Sequence, residues 1–317
     1  MRRAAALVAI PMLAAVAVAG CGSSSSSSSS ASAGSNGAVT ATGNFGAAPK
    51  VTIPAENAAA ALYTKTLIQG TGAPLTTSES LLGNFVLYDW SGTTHKLLGS
   101  TFSSGMPTLF AGPLLPGLEK ALIGQKAGSR VLAVIPPKDA FGAQGNSQIG
   151  VGGKDTLVFV IDMIQEFNNS SGVQGTQTSN GGSGLPTVTA APGKAPTVLI
   201  PSTAPPKTLQ VKTLIKGAGS KITKGQYLVV QYTGINWRTK KPFDSSWTRG
   251  QPFPTAIGVG QVIKGWDSGL VGQTVGSRVL LVIPPALGYG KTGSAQAGIK
   301  GTDTLVFVVD ILSATGA

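Results

Sequence analysis

The stretch that decides the fold is Gly276-Ser277-Arg278-Val279-Leu280-Leu281-Val282-Ile283-Pro284-Pro285. Its apolar run is rich in β-branched residues, which favour strands, and the two prolines that follow cannot continue a strand. The same pattern stands earlier in the chain, as Gly128-Ser129-Arg130-Val131-Leu132-Ala133-Val134-Ile135-Pro136-Pro137. This pattern predicts a β-strand that occurs twice.

Two further stretches recur around this strand. Thr66–Gly70 returns as Thr213–Gly217, and Asp155–Val160 returns as Asp303–Val308, both at an offset of about 147–148 residues. This offset is too long for the unit of a solenoid, whose repeats are 20–50 residues, and suits a whole domain. The chain is therefore predicted to contain one domain in two copies.

The copies are predicted to be residues 61–167 and 207–317. Between them, residues 168–206 are first Gly/Ser/Asn-rich and then Pro-rich, which is typical of a linker that begins flexible and ends semi-rigid. Residues 21–60 are rich in Ser, Gly and Ala, and we expect a disordered tether there because such a segment buries little apolar surface. Residues 1–20 have the pattern of a signal peptide.

The signal-peptide pattern ends in Val18-Ala19-Gly20-Cys21, which resembles a bacterial lipobox. The apolar stretch before it, Ala4 to Ala19, is too short to span a membrane comfortably. The resemblance implies that Cys21 is lipidated and becomes the mature N-terminus. We therefore expect an extracytoplasmic bacterial lipoprotein that is attached to a membrane by this anchor. Cys21 is the only cysteine, which rules out an intramolecular disulfide.

Each copy is predicted to be mostly β. Short β-branched and aromatic runs cover Tyr227 to Thr233 and Thr304 to Ile311. Period-two alternation puts Leu228, Val230 and Tyr232 on one face. A short helix is expected from Trp266 to Val271, between two glycines. One helix packed on an antiparallel sheet is an α+β architecture.

The second copy resembles the FKBP-type peptidyl-prolyl cis/trans isomerases from about Lys207 to Leu312. The motifs that carry this resemblance are Val230-Gln231-Tyr232-Thr233-Gly234, Phe243-Asp244-Ser245-Ser246, Val262-Ile263-Lys264-Gly265-Trp266, Ile283-Pro284-Pro285, Leu287-Gly288-Tyr289-Gly290 and Thr304-Leu305-Val306-Phe307. The resemblance implies a twisted antiparallel sheet wrapped around one short helix, with an aromatic pocket between them and no cofactor or metal.

The resemblance also implies a role for each site residue. Trp266 would form the pocket floor, and its walls would be Tyr232, Phe243, Phe253, Val262, Ile299 and Phe307. The backbone N–H of Ile263 and the hydroxyl of Tyr289 would bind peptide carbonyls. Asp244 would lie at the carbonyl of the bond that twists, and Arg249 would orient Asp244 and Tyr232. The loop from Lys291 to Gly301 is about one residue longer than the family pattern, and Ser294 stands where many members have histidine.

The first copy keeps the scaffold motifs and loses the polar site. The Phe-Asp pair becomes Leu98-Gly99, the floor tryptophan becomes Leu118, and the tip-loop tyrosine becomes Phe141. Arg249 corresponds to about Ser104. The strand tyrosine is expected near Leu87, beside Tyr88. This copy is therefore predicted to be a degenerate domain that serves binding, spacing or stability.

Lys and Arg outnumber Asp and Glu by 24 to 12, but the densest basic stretch is only Arg238, Lys240 and Lys241. Without a basic run or a nucleic-acid motif, we expect no nucleic-acid partner. The expected partners are proline-containing unfolded or exported polypeptides, and macrolide immunophilin ligands.

Two alternatives to a folding isomerase stay open. One is a chaperone-like lipoprotein that holds unfolded chains on apolar surfaces without turnover, and the other is a structural surface lipoprotein without a pocket. The polar set Asp244, Arg249 and Tyr289 favours the enzyme, because peptide binding alone would not require it.

Overall fold

The computed structural model describes residues 36–191 and 193–316. The predicted signal peptide, Cys21 and the first part of the predicted tether lie outside these residues. Within them, two six-stranded antiparallel sheets each pack against a short helix, and each sheet is preceded by a two-stranded hairpin. The predicted α+β architecture is therefore confirmed, and it occurs twice.

The first half begins with a 3-10 turn at Asn36–Ala38, and further 3-10 turns lie at Pro137–Asp139 and Gly142–Gln144. Its strands and helix are β1 (Thr40–Thr42), β2 (Lys50–Thr52), β3 (Tyr63–Ile68), β4 (Ser80–Ser91), β5 (Thr94–Ser100), β6 (Thr108–Phe110), α1 (Pro116–Leu122), β7 (Arg130–Ile135) and β8 (Thr156–Phe167).

The second half repeats this order, with 3-10 turns at Pro285–Leu287 and Gly290–Thr292. Its strands and helices are β9 (Thr187–Thr189), β10 (Thr197–Leu199), β11 (Gln210–Ile215), β12 (Tyr227–Asn236), β13 (Pro242–Ser245), α2 (Ser246–Arg249), β14 (Phe253–Ala256), α3 (Lys264–Leu270), β15 (Arg278–Ile283) and β16 (Leu305–Thr315). The predicted strands and helix are present, and β12 and β16 extend beyond their predicted ends.

The two sheets have the same strand order. In the second, β11, β15, β16, β12 and β13 lie side by side, and β14 pairs with the first half of β12. In the first, the order is β3, β7, β8, β4 and β5, with β6 pairing with β4. The decisive stretch forms β15, beside the central strand β16, and it ends at Ile283 because the prolines that follow have no N–H to donate to a ladder.

The inner face of the second sheet packs against α3. Leu228, Val230 and Tyr232 point to this face, as their alternation predicts, and they bury against Trp266 and Leu270 of the helix. Helix and strand approach closely at Gly265, where a Cβ would lie 2.5 Å from the Ile283 Cγ2. This approach holds the neighbouring indole of Trp266 against the sheet.

The outer faces of both sheets are covered, which corrects the predicted tether and linker. We call residues 36–60 the first strap and residues 168–206 the second strap. The first strap forms the hairpin β1–β2 and buries Val39 and Ile53 on the first sheet. The second forms the hairpin β9–β10 and buries Val188 and Ile200 on the second sheet. Both segments are rich in small residues and in glycine, but a few spaced apolar side chains have a sheet face to cover.

A buried ion pair lies under each strap. Arg130 pairs with Asp162 and Arg278 with Asp310, and all four side chains are almost fully buried. Arg130 also donates to the Gly43 and Ala47 carbonyls of the first strap, at 3.0 and 2.6 Å. A buried pair is favourable only when its remaining hydrogen bonds are made, and the backbone of the first strap supplies them to Arg130.

The two sheets touch through a small apolar cluster. Leu82 and Phe167 of the first half bury against Val229 of the second. Among the described residues, no helix is both long enough and apolar enough to cross a membrane.

Candidate active site

A cluster of aromatic rings fills the space between α3 and the second sheet. The Trp266 indole, 3% exposed, lies at its base. The ring of Tyr232 lies 5.3 Å from it and that of Phe307 lies 5.4 Å from it, both nearly perpendicular to the indole. Phe253 contacts Trp266 at 6.2 Å, and Phe243 contacts Phe307 at 5.6 Å. Edge-to-face contacts of this kind are favoured by the charge distribution of aromatic rings.

A polar group lies beside the rings. Arg249 forms an ion pair with Asp244, and the Tyr232 hydroxyl donates a hydrogen bond to the other oxygen of the same carboxylate. Arg249 also donates to the Tyr232 hydroxyl at 2.9 Å, and its guanidinium lies 5.3 Å from the centre of the Tyr232 ring. The three side chains therefore hold one another in a closed triangle at the edge of the aromatic cluster.

Local structure places the members of this triangle. Asp244 lies on β13 opposite Gly234, and Arg249 ends the short helix α2, which is closed by Gly250 in the left-handed conformation. At the other end of α2, the Ser246 hydroxyl accepts the backbone N–H of Tyr232 at 2.7 Å. The start of α2 is thereby fixed to the strand that carries Tyr232.

The triangle shifts the pKa values of its members. Burial, assisted by the hydrogen bond to Asp244, raises the pKa of Tyr232 to about 12. Burial acts to lower the pKa of Arg249, but the hydrogen bond to Tyr232 and the charge of Asp244 outweigh it and raise the pKa. Tyr232 therefore remains a neutral donor and Arg249 a cation throughout the physiological range.

The remaining predicted site residues surround the same cluster. Ile299 is buried against it, and Val262 and Ile263 pack on it from the segment that leads into α3. The N–H of Ile263 donates to no group in the described part of the chain. Tyr289 is 41% exposed, and partial burial together with the charge of Asp244 raises its pKa. The structure thus brings together all eleven residues that were predicted for this site.

Gly234 was not predicted as a site residue, although it belongs to one of the quoted motifs. Gly234 lies between two rings, and a Cβ on it would come within 2.7 Å of the Phe243 Cζ and 2.9 Å of the Phe307 Cε1. A glycine inside a strand often marks such a close approach, so Gly234 in an otherwise β-branched and aromatic run was the available signal.

The first half has the same strand pairing around this position but different side chains. Gly99 pairs with Leu87 as Asp244 pairs with Gly234, which agrees with the predicted loss of the carboxylate. Leu118 takes the place of Trp266 in the helix, and it is fully buried. No group of three or more His, Cys, Asp or Glu side chains that could hold a metal ion occurs among the described residues of either half.

The predicted counterpart of Tyr232 was wrong. Phe85 pairs with Ile161 as Tyr232 pairs with Val309, and the Phe85 N–H donates to the Thr101 hydroxyl at 2.8 Å, as the Tyr232 N–H does to Ser246. The counterpart is therefore Phe85, and Leu87 is the counterpart of Gly234. Only strand pairing shows this register, because apolar residues at both positions give similar local patterns.

Comparison with known proteins gives a family for both halves. The sequence profile described as "FKBP-type peptidyl-prolyl cis-trans isomerase" matches residues 77–164 and 218–312, together more than half of the chain. The "FK506-binding protein" of Streptomyces anulatus is 41% identical over 118 residues, which are 37% of this chain and 95% of that protein. The "Probable FK506-binding protein" of Corynebacterium glutamicum is 38% identical over 121 residues, which are 38% of this chain and 98% of that protein.

Among solved structures, AtFKBP13 matches 36% of this chain and 96% of its own, with 34% identity and a TM-score of 0.32. The profile and the bacterial relatives suffice to establish the family. The chain belongs to the FKBP-type peptidyl-prolyl cis-trans isomerases, and it contains the domain of that family twice.

Proposed function

We infer that isomerase activity resides in the second domain, in the ring cluster around Trp266, and that it assists the folding of exported proteins. The observation that carries this proposal is the triangle of Tyr232, Asp244 and Arg249 at the edge of that cluster. The first domain keeps the frame without the triangle.

The chemistry requires no nucleophile. Rotation about an X–Pro bond has a barrier of about 18–20 kcal/mol, because twisting breaks the amide resonance. The twisted amide has less charge on its carbonyl oxygen than the planar amide, so it loses less when water is removed. A dry apolar surface therefore lowers the free energy of the twisted form relative to the planar form, compared with water. The rings of Trp266, Tyr232 and Phe307 would receive the proline ring and exclude water from this bond.

The polar groups would orient the peptide around the twisting bond. The Ile263 N–H is without an acceptor in the described chain, and the Tyr289 hydroxyl is partly exposed. Both can therefore donate to carbonyls of a bound peptide. Asp244, held by Arg249 and Tyr232, supplies a fixed charge beside the carbonyl that turns. Fixed dipoles stabilise a transition state without the cost of reorganisation.

A substitution at Trp266 tests the assignment. Trp266→Leu gives the second domain the residue that the first has at Leu118, and we expect isomerase activity of the full chain to fall to background. Trp237→Leu is the matched control, since Trp237 is also buried but packs on the outer face of the sheet. Equal activity in wild type and Trp266→Leu would refute the assignment, and so would equal losses in the two variants.

The isomerase assay also distinguishes catalytic turnover from binding of unfolded chains without turnover. A chaperone-like protein without turnover would suppress aggregation of an unfolded protein while leaving the cis/trans relaxation of a proline peptide at its uncatalysed rate.

Relatives are named for binding FK506, and we propose that the second domain also binds macrolides of this kind in the ring cluster. Binding should be lost in Trp266→Leu and kept in Trp237→Leu.

The proposed clients and location rest on the N-terminal sequence pattern. We propose that Cys21 carries a lipid anchor and that the domains work on exported polypeptides at a bacterial membrane, outside the cytoplasm. Mass spectrometry of the mature protein should find acyl groups on an N-terminal Cys21. A mature protein that starts at another residue would exclude the anchor.

A further inference from the structure

The two domains differ sharply in charge. Residues 61–167 contain seven basic and seven acidic side chains, whereas residues 207–317 contain thirteen basic and four acidic ones. The excess positive charge of the chain is thus concentrated in the domain to which we assign catalysis. Net charge alone concerns solubility and association, so the position of the charges decides what they do.

All four acidic side chains of the second domain are engaged within it. Three form ion pairs with arginines, namely Asp244 with Arg249, Asp303 with Arg238 and Asp310 with Arg278. The fourth, Asp267, accepts the backbone N–H groups of Gly258 and Gly260 at 2.7 and 2.9 Å. No lysine of this domain forms an ion pair among the described residues. Its lysines are exposed, and none of them is held in an ion pair within the described chain.

Three of these lysines lie within two residues of a predicted site residue in the sequence. Lys264 directly follows Ile263, Lys300 directly follows Ile299, and Lys291 stands two residues after Tyr289. All three side chains are exposed. We call Lys264, Lys291 and Lys300 the rim lysines.

The first domain has none of them. α1 begins at Pro116 where α3 begins at Lys264. Ala143 is the middle residue of the 3-10 turn whose counterpart contains Lys291. Gly152 follows the bridge that corresponds to the one before Lys300. The rim lysines thus occur with the triangle and are absent where the triangle is absent.

We propose that the rim lysines select proline-containing peptides that carry acidic residues close to the proline. This proposal rests on the proposed function and names its substrate class. An extended chain advances about 3.3 Å per residue, so an Asp or Glu two to four positions from a bound proline lies within about 7–13 Å of it. Because the rim lysines follow Ile263, Tyr289 and Ile299 so closely in the sequence, we expect their side chains to reach this zone. A general polyanion surface would require no such placement.

The expected effect is moderate and depends on salt. Exposed charge pairs are individually weak, and three of them acting on one peptide should together change kcat/KM by roughly threefold to tenfold. The screening length is about 10 Å at 0.1 M salt and 3 Å at 1 M, so the preference should fade across this range.

The experiment compares two peptides with one proline core, one flanked by Glu and one by Gln, using the full chain. We expect the Glu peptide to have the higher kcat/KM at low salt, and the difference to vanish at high salt. Lys264→Gln/Lys291→Gln/Lys300→Gln should abolish the preference and leave turnover of the Gln peptide unchanged. The matched control is Lys212→Gln/Lys216→Gln/Lys221→Gln, which removes the same charge on and beside edge strand β11 and should keep the preference.

Several outcomes would overturn the proposal. Equal kcat/KM for the two peptides in wild type would do so, and so would equal loss of preference in the two triple variants. Proline-free polyglutamate that binds with the same dependence on the rim lysines would indicate a general polyanion surface instead. If wild type turned over neither peptide, the proposed function would fail, and fluorescence anisotropy of the labelled peptides would still compare their binding.

Discussion

Gly234 on β12 lies directly opposite Phe307 on β16, at the position where the first domain pairs Leu87 with Phe159. The absence of a side chain at Gly234 leaves room for the rings of Phe243 and Phe307. In the first domain, Leu87 is buried and occupies that space. The difference between the two sites therefore includes a filled volume as well as lost polar groups.

Gly234→Leu should abolish turnover while the domain still folds, because the first domain accommodates leucine at this position. The new side chain would displace Phe243 and close the space beside Trp266. Isomerase kinetics and near-UV circular dichroism would measure both effects. A variant with wild-type kcat/KM would show that the space beside Gly234 is not used by substrate.

Asp244→Ala should lower kcat about tenfold, or roughly 1–2 kcal/mol, with little change in KM. The loss should be modest because the rings still exclude water from the twisting bond. The ion pair with Arg249 is well exposed, so its removal should cost stability little. An unchanged thermal midpoint would exclude unfolding as the cause. Undiminished kcat/KM would remove Asp244 from the mechanism.

Alkaline pH should destabilise the second domain through Tyr232. The pKa of this tyrosine is raised to about 12 in the folded chain, against about 10 when unfolded. The folded state therefore holds the proton more tightly, which contributes stability below pH 10 that is lost as the pH rises from about 10 to 12. Denaturant titrations across this pH range should show that the free energy of unfolding falls less in Tyr232→Phe than in wild type. Parallel curves for the two proteins would contradict the prediction.

Val188→Ala should destabilise the second domain by about 1–2 kcal/mol, because the Val188 side chain is completely buried against the outer face of the sheet. Thr189→Ala is the control, since Thr189 is the exposed neighbour on the same strand. Chemical denaturation would compare the two. Equal midpoints would mean that the second strap contributes nothing to stability.

Much of the inner structure could be predicted from the sequence. Alternation along Leu228, Val230 and Tyr232 identified the face toward the helix, and the prolines after Ile283 marked the end of β15. The ring cluster and the triangle were expected from the resemblance of the ordered motifs to the FKBP-type isomerases. The buried face and the end of the strand depend on local patterns, which can be read without knowledge of the partner strand.

The straps could not be predicted from their own composition. Their polar and glycine-rich residues resemble a linker, and single buried residues such as Val188 are too sparse to form a periodic pattern. The signal lay in the sheet instead. From Val279 to Ile283 no polar residue interrupts the run, and such a run indicates a strand that is covered on both faces. One helix packed on the sheet accounts for only one of these two faces.

The straps also bear on how the protein is made. Each strap lies N-terminal to the sheet that it covers. Each strap is therefore synthesised before the sheet whose outer face it covers. The growing chain therefore has no stage at which a completed sheet waits for a later segment to shield its outer side. Both halves of the chain have this order, with the strap ahead of the sheet that it covers.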